Sequence, residues 1–444
     1  MPIGDERPKT RLYQKYLFAL LCLVYMIPFV QNIVMTVVAK DVMRDLRLSP
    51  DRMGLLGSVY LCGYAASMLF SGLFAARFGP RAFLSAMFFL AGAGGLLFAW
   101  TDSFAVACLA RVMCGAGSAV VLTSALTLFA RWYRAEAFGT LCAVFFSVGG
   151  LGALLGSAPL AMLNAAWGWR GCFVLVAAAT LLYGAAVVLT VRNWPPAGTE
   201  ALLGVTAAPR GPVTPAAMWD GVKKVSASWD FWRLALWFVG MSGIYLSYVG
   251  LWAVPYYKDV VRFSDAEAGI VLSMFSFGFI VGNPALSWLC EKKLHSNRAG
   301  LCGAGLFGLA AHLPLFLAGD RLGLYSHAAV ALCIGLAVSA PNAIIYASAR
   351  NIFGSRLAGM ASGALAGTCF VSGATLQIVC GLILTWGGSR GLPANEAYLL
   401  AFSPFIPCYI LAAVCGYTLS RASDPGHVSP LSWRMVLKKE DGTA

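Results

Sequence analysis

The sequence predicts an all-α membrane protein: twelve transmembrane helices in two six-helix bundles related by pseudo-symmetry. Three observations lead there. Of 444 residues, 59% are hydrophobic and 11% charged, with mean hydropathy +0.75, whereas a soluble domain carries about 25% charged residues. The charges fall in short clusters between apolar runs of about 20 residues or more, enough to cross a bilayer. Landmarks of the first half also return 215 positions later.

The first run, Tyr16 to Ala39, follows a basic stretch from Arg7 to Lys15 and is too long for a signal-peptide core, so it reads as a retained span. Met53 to Ala76, Ala82 to Thr101, Ser103 to Ala130, Ala137 to Leu163 and Cys172 to Val191 complete six. A polar, proline-bearing stretch follows. Phe231 to Tyr257, Gly269 to Cys290, Ala299 to Gly319, Leu322 to Ala349, Leu357 to Trp386 and Ala397 to Ser420 give six more. The expected organisation is an N-terminal bundle over residues 1–191, a cytoplasmic linker over 192–230, a C-terminal bundle over 231–420 and a cytoplasmic tail over 421–444.

With the first span starting in the cytoplasm, the inner loops hold 22 Lys and Arg, the outer loops 9, and one, Arg111, lies within a span. That bias meets the positive-inside rule and places both termini in the cytoplasm. The short loops and lack of a sorting signal suggest a bacterial cytoplasmic membrane. The net charge of +13 is spread over many loops, which argues against a nucleic-acid surface. None of the 13 cysteines forms a C-x-x-C pair and most lie in apolar runs, so no zinc site, disulfide or cofactor is expected. The expected state is a monomer in the lipid bilayer.

Shifted by 215, Ser49, Gly54, Ser58, Gly63 and Arg77 fall on Ser264, Gly269, Ser273, Gly278 and Lys292. Each match marks a helix start, a small residue facing a neighbour, or a basic exit. Ser49 precedes Pro50 at a first helical position, and Ser264 with Glu267 spells a capping box. Five matches in one register indicate a duplicated six-span unit.

At the end of the second span, Gly72-Leu73-Phe74-Ala75-Ala76-Arg77-Phe78-Gly79-Pro80-Arg81 resembles the G-x-L-x-D-R-x-G-R-R signature of the major facilitator superfamily. The usual acid is Ala76 and one arginine is Pro80; in the second half, Glu291-Lys292-Lys293 keeps an acid. The resemblance implies a gating role for Gly72, Arg77, Gly79, Arg81, Glu291 and Lys292. Arg111-x-x-x-Gly115-x-Gly117 is similar to the family's fourth-span motif, and Trp169-Arg170 to its Gly-Trp-Arg before the sixth span. Gly149-Gly150-Leu151-Gly152 through Gly156 and Pro159 is glycine-rich like the antiporter motif but lacks its Gly-Pro spacing, so antiport does not follow. Ala130-Arg131-Trp132-Tyr133, Pro159-Leu160 and Gly168-Trp169-Arg170 resemble metabolite carriers, including organic-anion porters and bacterial relatives of the lysosomal dipeptide transporter. The family implies two bundles that rock about a central site.

Arg111 is the only charge well inside a span, and its cost there makes it a candidate anchor for a carboxylate or phosphate; the competing reading has it bonding carbonyls of neighbouring helices. Tyr245, Tyr248, Trp252 and Tyr256 share one face on a regular helical wheel, either a cavity wall or an interfacial belt. Tyr25 and Asn32 lie on a matching stripe of the first span; Asn342 on the tenth and Gln377 on the eleventh are further binding candidates. No Asp or Glu falls in any expected span, which disfavours a carboxylate proton relay. His312 and His327 remain as titratable groups, each read more readily as a hydrogen-bonded packing histidine, with His327 preferred because the tenth span lines the cavity in this family.

No P-loop is present, so transport would be gradient-driven or facilitated. The expected function is transmembrane carriage of a small polar organic metabolite by alternating access, with an organic anion, amino acid or short peptide favoured and a coupling ion left open. A drug or other solute exporter of the same fold is the alternative, and hydrophobic-cation pockets commonly use a buried acid. A non-transporting receptor or scaffold is the alternative of another class. An enzyme is disfavoured because the four histidines are scattered and no H-E-x-x-H or acidic cluster occurs.

Overall fold

The computed structural model describes residues 6–196, 223–339 and 341–424, and the described chain is helical with no strand. In the first half, helices run α1 Glu6–Asp45, α2 Pro50–Phe78, α3 Pro80–Trp100, α4 Phe104–Ser118, α5 Val120–Trp132, α6 Ala135–Leu155 and α7 Ala158–Thr190. The second half holds α8 Trp229–Ile244, a π-helical segment Tyr245–Trp252, α9 Ala253–Tyr256, a second π segment Tyr257–Val261, and α10 Asp265–Leu289. It continues as α11 Asn297–Ala318, a 3-10 turn Gly319–Arg321, α12 Leu324–Ser339, α13 Pro341–Ser389, α14 Ala394–Phe402 and α15 Phe405–Thr418.

Ten helical stretches among the described residues are long and apolar enough to cross a membrane, and Leu324–Val338 is a shorter apolar helix. One stretch, Val144–Thr190, is 47 residues long, about 70 Å at 1.5 Å per residue, far beyond one crossing. Gly168 divides it: its φ of 69° and ψ of 172° are non-helical, so the chain turns there and two spans result. With the shorter helix, twelve crossings are accounted for. Two boundaries differ from the sequence expectation. The fifth span is broken at Gly156–Ser157, just ahead of Pro159 in the first turn of α7. The tenth is divided between α12, described to Ser339, and α13, which starts at Pro341, and the expected connection over 350–356 stays helical within the 49 residues of α13.

Described residues of Met1–Leu46 and Val59–Val213 form one compact unit, and those of Arg47–Ser58 and Thr214–Ala444 the other. The start of α2 therefore groups with the second half. Thr385 explains part of this: its hydroxyl accepts from the Asp51 amide and donates to Asp51 Oδ1, both at 2.9 Å. A Cβ on Gly54 would lie 2.6 Å from the Gln377 carbonyl oxygen, and one on Gly381 equally close to that of Pro50. Only glycines permit that approach.

The first unit buries Leu17, Val24, Phe88, Val120, Phe129, Trp132, Phe145 and Val187 in one apolar core. The repeat is visible in its packing. A Cβ on Gly115 would strike the Tyr60 carbonyl oxygen at 1.9 Å, and one on Gly335 that of Phe275 at 2.2 Å. Gly63 meets Val112 and Ala116 as Gly278 meets Leu332 and Leu336. The offset is 215 on α2 and α10 but 220 on α4 and α12. Five residues enter between them. The capping box is present as well: Ser264 Oγ accepts from the Glu267 amide, and the Glu267 carboxylate accepts from the Ser264 amide.

Candidate functional site

Arg111 sits on α4, one turn before Gly115. Because Gly115 lets α4 lie against the backbone of α2, and a Cβ on Gly117 would fall 2.3 Å from the Met87 carbonyl oxygen on α3, the Arg111 side chain is carried inward rather than toward lipid. It is 2% exposed. The guanidinium carbon stands 4.4 Å from the centre of the Tyr60 ring, a cation–π contact worth about 2 kcal/mol when desolvated. Among the described residues its one hydrogen bond is long, from an Nη to the Gln31 carbonyl oxygen at 3.5 Å, and Nε has no partner. Among the described residues it makes no ion pair.

A ring of neutral polar groups surrounds it. Gln31 on α1 donates through Nε2 to Thr180 Oγ1 on α7 at 3.2 Å and accepts from Ser118 Oγ on α4 at 2.7 Å, while the Tyr60 hydroxyl donates to the Pro28 carbonyl at 3.3 Å. These groups fix the helices around the cation but leave its charge uncompensated. Sequence reasoning passed over Gln31, Ser118 and Thr180. Their signal was a glutamine beside Asn32 in an uncharged span. Asn32 is half-buried and makes no side-chain hydrogen bond among the described residues; Tyr25 is buried and stacks on Phe145 at 4.1 Å, with the glycine surface of Gly149 against its ring.

In the second unit the expected single aromatic face is not formed. Residues Tyr245–Trp252 are π-helical, so the 100° per residue of a regular helix no longer applies and the four rings diverge. Tyr245 stacks on Phe275 and Phe279 of α10. Tyr248 turns inward, its hydroxyl 2.8 Å from that of Tyr257 and its ring against His312, Phe402 and Phe405. Trp252 donates from its indole to the Gln377 carbonyl at 3.1 Å, and Gln377 Nε2 donates to the Leu246 carbonyl at 2.8 Å. Gln377 thus staples α13 to the π segment, with its Oε1 unpartnered.

His312 Nδ1 lies 2.8 Å from the Tyr409 hydroxyl, and His327 Nε2 lies 3.0 Å from the Gly319 carbonyl oxygen. Both histidines are fully buried. The side chains of Asn342 and Glu291 fall outside those described.

The loop residues expected to gate are placed as follows. Gly79 has φ 81°, and a Cβ there would sit 2.7 Å from Asn193 Nδ2. The Arg81 amide donates to Asn193 Oδ1 at 3.0 Å and its guanidinium to the Val188 carbonyl at 3.0 Å. Arg77 is exposed beside Phe78, Gly72 faces open space, and Lys292 is exposed. The loop is therefore tied to the end of α7 inside the first unit. Asn193 was missed, since nothing in its local sequence marks it.

The chain matches the model of the Major Facilitator Superfamily over residues 18–378. It is 23% identical to a probable sulfoacetate transporter of Cupriavidus necator over 87% of this chain and 90% of that one. It is 20% identical to a probable hexose phosphate transport protein of Chlamydia muridarum over 72% and 74%. A bacterial homologue of the human lysosomal transporter Spinster, solved inward-facing and unoccupied, superposes with a TM-score of 0.75 at 18% identity, covering 92% of this chain and 97% of that one. The two-bundle, twelve-helix fold, the repeat and the fourth-span motif all agree with the family match. The chain is a small-molecule transporter rather than an enzyme, an integral membrane protein belonging to the major facilitator superfamily.

Proposed function

We propose that the protein carries a small organic anion across a bacterial cytoplasmic membrane by alternating access, with both termini in the cytoplasm, the bundles 1–191 and 231–420 as the moving parts, and 192–230 as their linker. Arg111 is the anchor for the anionic group. The observation that carries this reading is a buried guanidinium with no carboxylate partner, one long hydrogen bond and an open Nε–H. An unpaired cation in the membrane costs about 2.5–3.5 kcal/mol on insertion scales, and a bound anion removes that cost. Two relatives whose names specify anions, sulfoacetate and hexose phosphate, support the class. Asn32, half-buried and next to Gln31 on α1, is proposed as an additional polar contact. A hydrophobic-cation exporter is disfavoured because the expected spans contain no acid.

The test is thermal stabilisation and proteoliposome uptake with sulfoacetate, a hexose phosphate, 4-hydroxybenzoate, a neutral sugar and a quaternary amine, on wild type, Arg111→Gln and Arg111→Lys. Ligands that bind only the folded state raise its stability. An anion response in wild type that vanishes in Arg111→Gln and partly returns in Arg111→Lys is expected; equal responses in all three proteins would sink the anchor.

A further inference from the structure

A carbonyl oxygen only accepts, so the bond between His327 and Gly319 fixes the imidazole: Nε2 carries the proton and donates it. Nδ1 is then a bare lone pair, buried and without a donor. The hydroxyl of Tyr256, also buried, has no partner either. It stands against Gly319 itself, because a Cβ on that glycine would lie 2.2 Å from the Tyr256 hydroxyl oxygen. Two open polar groups therefore flank one residue. Rings enclose the imidazole, with centroids of Tyr257 and Phe263 at 5.4 Å and of Tyr256 at 6.4 Å. Leaving two such groups unsatisfied in a sealed apolar cluster is costly, which points to an occupant that comes and goes.

We infer that His327 and Tyr256 form a proton-binding site in the second unit, at the end of that unit away from the linker. A proton from water adds to the Nδ1 lone pair, giving an imidazolium with two N–H donors. Gly319 keeps one; Nδ1 and the Tyr256 hydroxyl are not hydrogen-bonded to each other in this conformation, so the phenolic oxygen accepts the other once a side chain turns. The other titratable and charged groups on the surrounding elements are engaged with one another or lie at the surface. From the end of the seventh span come Tyr257, bonded to Tyr248, Asp259, which accepts from Tyr398 at 2.9 Å, and Lys258, neutralised by Asp265 at 2.6 Å. The 3-10 turn adds exposed Asp320 and Arg321, and α14 adds Tyr398; His312 is engaged with Tyr409. With no Asp or Glu in the expected spans, a histidine is the side chain left to carry a proton there. This site is independent of the Arg111 reading.

The full-length protein, labelled with nitrogen-15 histidine in nanodiscs, would be titrated by NMR between about pH 5 and 8, the range over which imidazole charge changes. One histidine, absent from His327→Gln, should pass from the neutral Nε2–H pattern to imidazolium. In Tyr256→Phe its midpoint should fall by about 1–2 pH units, the worth of one hydrogen bond to the cation. Arg111→Gln should leave the titration in place. A His327 signal that stays neutral to pH 5 overturns the site, and an unmoved midpoint in Tyr256→Phe removes Tyr256 from it. Should His327→Gln fail to fold, the triple variant His295→Gln/His312→Gln/His427→Gln leaves His327 as the single remaining signal.

Discussion

The crossing of α2 with α4 in the first unit and that of α10 with α12 in the second share one design and differ in one charged side chain. Gly115 and Gly335 touch equivalent backbone oxygens, of Tyr60 and Phe275, and Gly63 and Gly278 reciprocate from the other helix. On the shared offset of 220, however, Arg111 corresponds to Ala331, which is buried with no charge. The second unit builds the same crossing without a cation, filling the adjoining space with Tyr245 stacked on Phe275 and Phe279. So the arginine is not what holds the helices together. The glycines set the frame, and Arg111 is an addition that the frame tolerates at a cost. That favours a ligand-directed role over a purely structural one.

The comparison breaks most readily at the glycines. Gly115→Ala and Gly335→Ala both place a methyl inside van der Waals contact with backbone, which cannot swing away. Each is expected to lose about 3 kcal/mol or more, the upper part of the overpacking range, read as a lowered Tm in detergent. If one is tolerated and the other is not, the two crossings are not equivalent and the internal control fails.

The next effect exchanges the differing residue. Ala331→Arg should cost about 2.5–3.5 kcal/mol, because the second unit has no Gln31-like ring and no ligand to receive a cation. Arg111→Leu should leave Tm unchanged or raise it while abolishing anion stabilisation, since replacing an unpaired buried charge by an apolar group is often neutral or favourable. A loss of several kcal/mol in Arg111→Leu would instead mark the cation–π contact with Tyr60 as structural. Gln31→Leu, by contrast, removes two interhelical hydrogen bonds while Ser118 and Thr180 keep those to the Cys114 and Val176 carbonyls, and should lose about 1 kcal/mol, measured the same way.

Why the frame was legible and the sites only partly so follows from these residues. Span length and glycine spacing are local properties, so the crossings, the Ser264 capping box and the 215-residue repeat could be read from one sequence. Arg111 announced itself because a lone charge in an apolar run is expensive wherever it lies. The direct partners of Arg111, Gln31 and Tyr60, come from two other helices, and the neutral Gln, Ser and Thr around it carry no such penalty signal. The aromatic face failed for a different reason: the wheel assumes 3.6 residues per turn, and nothing in Tyr245–Trp252 advertises a π-helix. That distortion is held from outside by Gln377, whose side chain takes up the Leu246 carbonyl.

The smallest differences concern the third helix of each unit. In both, the chain just past the unit's last helix returns to that helix's N-terminus: Asn193 Oδ1 accepts from the Arg81 amide, and Asp424 Oδ1 accepts from the Arg298 amide and Ser296 hydroxyl. Arg81 and Arg298 then each donate to a carbonyl on the last helix, of Val188 and Tyr417. Asn193→Ala and Asp424→Ala should each lose about 1 kcal/mol, the usual worth of a side-chain cap. The entry residues differ, because the positive φ is supplied by Gly79 at 81° in one unit and by His295 at 47° in the other. A residue with a Cβ is strained there, so His295→Gly is expected to raise Tm slightly, by up to about 1 kcal/mol, and Gly79→Ala to lower it by a similar amount or more. Gly79→Ala also meets Asn193 Nδ2, the far end of a side chain that is itself the cap. In the double variant Gly79→Ala/Asn193→Ala, the penalty should therefore be smaller than the sum of the two singles. Strict additivity would mean that backbone strain alone, and not the clasp, sets the cost at Gly79.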